Sequence, residues 1–387
     1  MGVNRDGASG FILFSGSNDR AVLALCRGFT KYRIPFVLIG RDGKDLLDKS
    51  IYSHHFLQYR TYSDLTLSGL LEAVEEARQR FDRKDWILCP TSEYLNLQLF
   101  SMEDELRVHS ISIATCDRSL YVKLSNKSSF RAYCEHLQIK PPEILEFDVS
   151  KDQDHGSFLD PRTLELPFVA KPKHNLSSSG RILYPYLIRD EVERERYLSE
   201  AEHSEFYLEK FVAGESWYWL FYISATGEVT SGAQQNFLQQ GNGKSIVMAR
   251  AQSYPESERI DQVGKELANE GYRGFIMIEI RRTDSRAAIA IEANPRCWGP
   301  FQLTLDARMG LFEAFINDHG YAVRVPTRRD AIYTWIGGMV KAWRNGSGID
   351  RHVRLRKMVC LGPSGFVSDV YARSDSWSCF RTDLYQR

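Results

Sequence analysis

The stretch GFIMIEIRRTDSRAAIAIEANPRCWGP, residues 274 to 300, gathers the side chains best suited to chemistry. It reads as two strands joined by a polar turn, with Glu279 and Glu292 where the strands meet and Asn294 and Arg296 just beyond. Successive side chains on a strand point to opposite faces. Ile276, Ile278 and Ile280 therefore share one face of the first strand, and Met277 and Glu279 the other. On the second strand Ile289, Ile291 and Ala293 lie opposite Ala290, Glu292 and Asn294. The isoleucine faces are expected in the core. If the hairpin closes around TDSRAA, the glutamates become opposed neighbours with Cβ atoms about 5 Å apart. Carboxylates that close either share a proton or hold a cation. A few carboxylate and amide oxygens suit Mg²⁺ that is also bound by phosphates, which makes Glu279, Glu292 and Asn294 candidate metal ligands. The competing account is a solvated strand face carrying harmless acids.

The segment IEANPR resembles the metal-binding signature of ATP-grasp enzymes, in which an acid, an Asn and often an Arg follow a strand. Glu279, upstream of Glu292, fits that family's other metal ligand. Further pieces follow in the family's order. Lys127 in SNKSSF resembles the first ATP lysine and Lys171 in FVAKPK the second. HNLSSSGR, with Ser177, Ser178, Ser179 and Gly180, stands where the family keeps a phosphate-covering loop, though the family loop is richer in glycine. LEKFVAGES resembles the hinge that reads adenine through its backbone, here Glu209, Lys210, Phe211 and Val212, with Glu215 placed for the ribose hydroxyls. The resemblance implies two α+β lobes gripping ATP, preceded by a small open parallel α/β domain. The boundaries would be 1–115 for that first domain, 116–205 for the small lobe, 206–325 for the large lobe and 326–387 for a helical and β tail.

It also implies a reaction. A carboxylate attacks the γ-phosphate of ATP, and an amine then displaces phosphate from the acyl phosphate to give an amide, with an amino acid as the expected substrate. Two Mg²⁺ ions, with Mn²⁺ as a substitute, would sit on Glu279, Glu292 and Asn294, and Arg296 would face the transferring phosphoryl group as the catalytic residue. Phosphoryl transfer needs charge cancellation more than covalent help. Cys297 beside the motif is expected simply to pack. Gln302 and Arg308, in the segment after the motif, are candidates for a substrate carboxylate. The rivals are a carboxylase-like or phosphoryl-transferring relative, for which no biotin-attachment motif is seen, and a non-catalytic nucleotide-binding module.

The elements that must hold these residues follow from pattern. GFILFSG, the helical spacing of Val22, Leu25, Cys26 and Phe29, and PFVLIG make a β-α-β start with a parallel sheet. LSGLLEAVEEARQRF reads as a helix and DWILCP as a strand; the turn SGSNDR after the first strand reads as a plain strand-to-helix turn. A helix capped by Ser125 or Asn126 is expected to run until Pro141 and Pro142. LPFVAKPK is a strand, ATGE a turn between antiparallel strands, and IDQVGKELANEGY a helix. In the tail, Ile332, Trp335, Ile336, Met339, Val340 and Trp343 form an apolar helical stripe, expected to dock on the core or a second subunit rather than a membrane surface. SDVYARSDSWSCF is similar to tails of amino-acid-ligase branches of the ATP-grasp family.

Lys+Arg and Asp+Glu both number 50, so no global field draws the chain to nucleic acid or an anionic membrane. Seven cysteines without a CxxC pair favour reduced thiols in a cytoplasmic protein. No signal peptide or transmembrane run is seen, and Asp6 breaks the myristoylation pattern after Gly2. The expected partners are a small carboxylate and a small amine, with the tail helix hinting at a homodimer.

Overall fold

In the computed structural model, residues 8–43, 45–61, 65–145, 160–173, 183–241, 243–352 and 368–385 are described. The first sheet is built from β1 (Gly10–Phe14), β2 (Phe36–Arg41), β3 (Phe56–Arg60), β4 (Trp86–Cys89) and β5 (Ile111–Ile113), ordered β3-β2-β1-β4-β5 with every pairing parallel. Both faces are covered, so the central strands are continuous apolar runs rather than alternating ones. Phe11 and Leu13 pack with the helix Asp19–Tyr32 on one side, and Ile12 and Phe14 with the helix Leu67–Phe81 on the other.

A second sheet contains β6 (Phe168–Pro172), β7 (Tyr186–Ile188) and β8 (Phe206–Lys210), antiparallel in the order β7-β6-β8. Phe168, Ala170, Ile188, Phe206 and Leu208 turn inward with Tyr197 of the helix Glu191–Glu200. Strand alternation sends Val169, Lys171, Tyr207 and Glu209 to the opposite face.

The third sheet holds β9 (Glu215–Ile223), β10 (Val229–Gln240), β11 (Ile246–Ala251), β12 (Gly274–Arg282), β13 (Ala288–Asn294), β14 (Ile332–Thr334) and β15 (Ile349–Arg351). Its order is β13-β12-β9-β10-β11-β14, with β15 added to β10. Trp217, Trp219, Phe221, Ile276, Ile278 and Ile280 pack on the helix Ser257–Asn269. The other face brings Tyr218, Leu220, Tyr222, Phe275 and Met277 against the first domain.

Three expectations change. The helix predicted to reach Pro141 spans only Lys127–Tyr133, and Gln138 takes a left-handed backbone (φ 54°) where the chain turns back. The region assigned to a tail is not separate, since β14 and β15 extend the large sheet. The tail helix spans only Ile336–Arg344, with Ile332 in β14; it buries Gly337, Gly338 and Ala342, packs Ile336 and Met339 on the core together with Trp335 just before it, and leaves Trp343 79% exposed. Asp383 lies where a Cβ on Gly337 would be, which explains the close approach to the helix Trp377–Tyr385. No helix among the described residues is long and apolar enough to cross a membrane. The six described cysteines are buried thiols.

Candidate nucleotide and metal site

In the register of β12 and β13, Glu279 stands directly opposite Glu292, and Met277 opposite Asn294. The pairing slips just after Glu279, so Ile280 faces Ala290 and Ile291 is the extra residue of a β-bulge. Ala288, Ala290 and Ala293 therefore turn to the core, while Ile289 and Ile291 stay half-buried. The expected isoleucine core face holds for β12 and fails for β13. A bulged residue leaves the ladder, and the Ile291 carbonyl instead accepts a hydrogen bond from Lys171 Nζ at 2.9 Å.

Lys171 also pairs with Glu209, Nζ to Oε1 at 2.8 Å, with both side chains buried. The two residues share the face of the small sheet opposite its apolar core. One extended segment stitches this sheet to the hairpin: Ala290 N–H donates to the Lys140 carbonyl at 2.7 Å, Lys210 N–H to Glu143 at 2.8 Å, and Leu145 N–H to Leu208 at 3.0 Å. The large-sheet acids and the small-sheet lysine thereby meet across one cleft. Lys127 opens its short helix beside Asn126, whose side chain accepts from the Ser128 and Ser129 N–H groups, both at 3.0 Å. Burial lowers the Lys127 pKa, Glu292 raises it, and Lys171 lowers it again, so its ammonium lies within the field of the same cluster.

The acids are held by donors. Asn294 Nδ2 donates to Glu292 Oε1 at 2.9 Å, and Arg296 Nη2 donates to Asn294 Oδ1 at 3.0 Å. Arg281, two residues beyond Glu279 on the same face, brings Nη2 to 3.2 Å from Glu279 Oε1. Burial pushes Glu279 up to about 7; Arg281 opposes the shift and Glu292 adds to it. The donor set fits a divalent cation: two facing carboxylates and a neighbouring amide, with no third acid in the cluster among the described residues. Such a site leaves most of the coordination sphere to phosphate and water oxygens, as Mg²⁺ requires.

Phe211, Val212 and Gly214 connect β8 to β9. At Gly214 (φ 143°) a Cβ would overlap the Arg282 carbonyl, so the linker can cross the end of β12 only as glycine. Glu215 at the start of β9 accepts from Trp217 Nε1 at 3.2 Å. Ser177, Ser178, Ser179 and Gly180 lie outside the described residues.

No protein-family model matches the chain, and no curated protein matches it in sequence. Solved structures match in shape. The biotin carboxylase β,γ-ATP complex from Campylobacter jejuni aligns with a TM-score of 0.56 and 14% identity, over 83% of this chain and 73% of that one. The ADP complex of N5-carboxyaminoimidazole ribonucleotide synthetase gives 0.59 and 16%, over 88% and 85%. The same synthetase from Thermus thermophilus gives 0.57 and 16%, over 83% and 82%. The chain has the ATP-grasp fold.

Within the ATP-grasp fold two sequence candidates have other surroundings. Gln302 is buried on the helix Phe301–Asp306; its Oε1 accepts from Arg27 Nη1 at 2.8 Å and its Nε2 donates to Asp306 Oδ1 at 2.9 Å. Its amide oxygen is tied to the first domain and its amide nitrogen to its own helix. Arg308 is exposed in a left-handed turn (φ 55°), and its charge is felt by Tyr32. Tyr32 ends a 14-residue helix, about 20 Å from the Asn18 end that faces the metal motif. Cys297 packs as expected, its thiol pushed up to about 12 by burial.

Other residues were missed. Asn18, in the supposedly plain turn, donates to the Thr91 and Cys297 carbonyls, each at 3.2 Å, and so seats the first domain on the metal motif. Arg20 donates to the Ile246 carbonyl (3.2 Å), Tyr333 OH (3.1 Å) and Ser245 Oγ (3.1 Å), and stacks 3.8 Å over Trp335. Arg281 was visible in principle, since residues i and i+2 share a strand face. Nothing local marked Asn18 or Arg20, whose partners come from distant segments.

Proposed function

We propose that the protein is an ATP-dependent carboxylate–amine ligase that forms an amide through an acyl phosphate, releasing ADP and phosphate, with an amino acid as carboxylate or amine substrate. The observation that carries this reading is the face-to-face placement of Glu279 and Glu292 across a cleft from Lys171. Glu279, Glu292 and Asn294 would hold Mg²⁺, which when bound neutralises phosphate charge and orients the terminal phosphates. Lys127 and Lys171 would take α- and β-phosphate oxygens. In the structure Lys171 is tied to Glu209 and the Ile291 carbonyl, with Glu279 in its field. Arg296, oriented through Asn294, would bind the transferring phosphoryl oxygens with its planar fork. The backbone of Glu209, Lys210, Phe211 and Val212 would read adenine, and Glu215 the ribose hydroxyls. The domain boundaries at about residues 115, 205 and 325 follow the same proposal, with the final segment built into the large lobe.

The neighbours are consistent with nucleotide use: one is a carboxylase domain in complex with MgADP, ADP and bicarbonate. That bicarbonate supports a second reading, in which the attacking carboxylate is bicarbonate and the product a carboxylated amine. ADP release across a panel of amino acids, amines and bicarbonate separates the two. Mass spectrometry should find an amide product with an amino acid present and no bicarbonate. Release of AMP instead of ADP would overturn the acyl-phosphate route.

A further inference from the structure

The acid pair carries a cation of its own. Arg281 approaches Glu279 at 3.2 Å, yet its other donors are placed on neutral acceptors: Nη1 lies 2.9 Å from His352 Nδ1, and Nη2 lies 3.4 Å from Gln239 Oε1. His352 Nε2 in turn lies 2.9 Å from the same Gln239 oxygen. An arginine offers only donors, so His352 meets it with the Nδ1 lone pair and donates from Nε2 to Gln239. The ring is thus neutral, and burial with Arg281 and Arg189 nearby lowers its pKa to about 3. The acceptor pair is built, not incidental. β15 adds to the end of β10, and the His352 N–H donates to the Phe237 carbonyl at 2.9 Å, which fixes the ring over Arg281. Arg281 and Glu279 side chains are only 14% and 7% exposed, so water screens their interaction little.

We propose that Arg281 is the resident counter-cation of the acid pair: it neutralises Glu279 while no metal is present and yields its share of the carboxylate to an entering divalent cation, withdrawing onto His352 and Gln239. Two facing carboxylates would otherwise repel in a buried strand pair. A guanidinium beside a cation site repels the incoming ion as well as stabilising the empty site. His352 and Gln239 supply the second seat, which keeps the charged guanidinium hydrogen-bonded after it releases Glu279. His352 is a positioning residue in this scheme. The inference rests on the reading of Glu279 and Glu292 as metal ligands.

The two roles give opposite signs on one measurement. Binding of Mn²⁺ without nucleotide is followed by the electron paramagnetic resonance of the free ion, in mildly alkaline buffer where the acids are ionised. Arg281→Gln, which removes the competing charge, should tighten Mn²⁺ binding by roughly tenfold. Arg281→Lys should stay near wild type. His352→Leu, which removes the second seat, should weaken binding by roughly tenfold, and His352→Gln should restore much of it. A purely structural role for either residue would weaken binding in both, so R281Q binding no tighter than wild type overturns the proposal. So does H352L binding as well as wild type, a result that stands even if R281Q fails to fold. A wild-type protein that takes up no Mn²⁺ would instead overturn the metal-site reading itself.

Discussion

Two acids in this molecule, each beside a second carboxylate, are shifted in the same direction by the same cause. Asp19 is pushed up to about 7 by burial, with Asp45 adding to the shift, and Glu279 is pushed up to about 7 by burial, with Glu292 adding. Their partners differ. Asp45 accepts from Ser15 Oγ, from Arg41 N–H at 2.9 Å and from Leu47 N–H at 3.0 Å, and Asp19 accepts from Gly16 N–H at 2.8 Å. These are neutral local donors that shape the loops after β1 and β2. Glu279 is ion-paired with Arg281 and lies in the field of a lysine from another sheet, while Glu292 accepts from Asn294. A raised carboxyl pKa therefore marks burial in both places, and the charged partners separate the proposed metal site from a folded loop.

Substitutions should break this symmetry. Glu292→Gln should lower ATP turnover by about 1000-fold while leaving the thermal midpoint almost unchanged, as expected when a charge acts mainly on the transition state. Lys171→Met should cost about 3–5 kcal/mol in urea denaturation, because it leaves Glu209 buried without its cation. Lys171→Met with Glu209→Met should recover most of that loss. Asp45→Ala should cost about 1–3 kcal/mol through orphaned backbone N–H groups, with turnover per folded molecule retained.

The pH dependence sharpens the contrast further. Glu279 and Asp19 both rise from ordinary carboxyl values to about 7, so between those limits the native state binds more protons than the unfolded chain. Their contribution to stability is then present at low pH and falls as pH climbs toward 7, by at most about 1.4 kcal/mol per pH unit for each group. Added Mg²⁺ should remove the Glu279 part of this slope and leave the Asp19 part, and Glu279→Gln should abolish the Mg²⁺ effect in thermal melts across that range. The smallest expected change is Asn126→Ala: loss of the cap at Ser128 and Ser129 should cost about 1 kcal/mol and raise the KM for ATP through Lys127 more than it lowers kcat.

The facing of Glu279 and Glu292 was expected from a turn around TDSRAA, but Arg282 pairs with Ala288, so the turn is one residue shorter and only the bulge brings the two glutamates opposite each other. The bulge at Ile291 was not legible, since it depends on which β13 residues best fill the core, and alanines won over isoleucines there. The β-α-β start, the helix Leu67–Phe81 and the strand bearing Lys171 were plain from periodicity. The ion pair of Lys171 with Glu209 was not, because two separate strands had to be brought side by side first. The partner of Gln302 was not legible for the same reason: proximity in sequence to the metal motif said nothing about Arg27, which reaches it from the first domain.

Arg27 also has a larger consequence. Its guanidinium grips both oxygens of Asp375 at 2.7 Å, Ser376 Oγ at 2.7 Å and the Val370 carbonyl at 2.9 Å, while Arg373 in the same final segment holds both oxygens of Asp306 on the large lobe. The segment from Val370 to Ser376 thus ties the opening domain to the helix Phe301–Asp306. The three-stranded sheet is not among the parts this segment ties, and sits like a lid on a fixed box. Against the box that lid meets a surface latch, Arg189 to Asp350 at 3.0 Å, which loosens as salt rises.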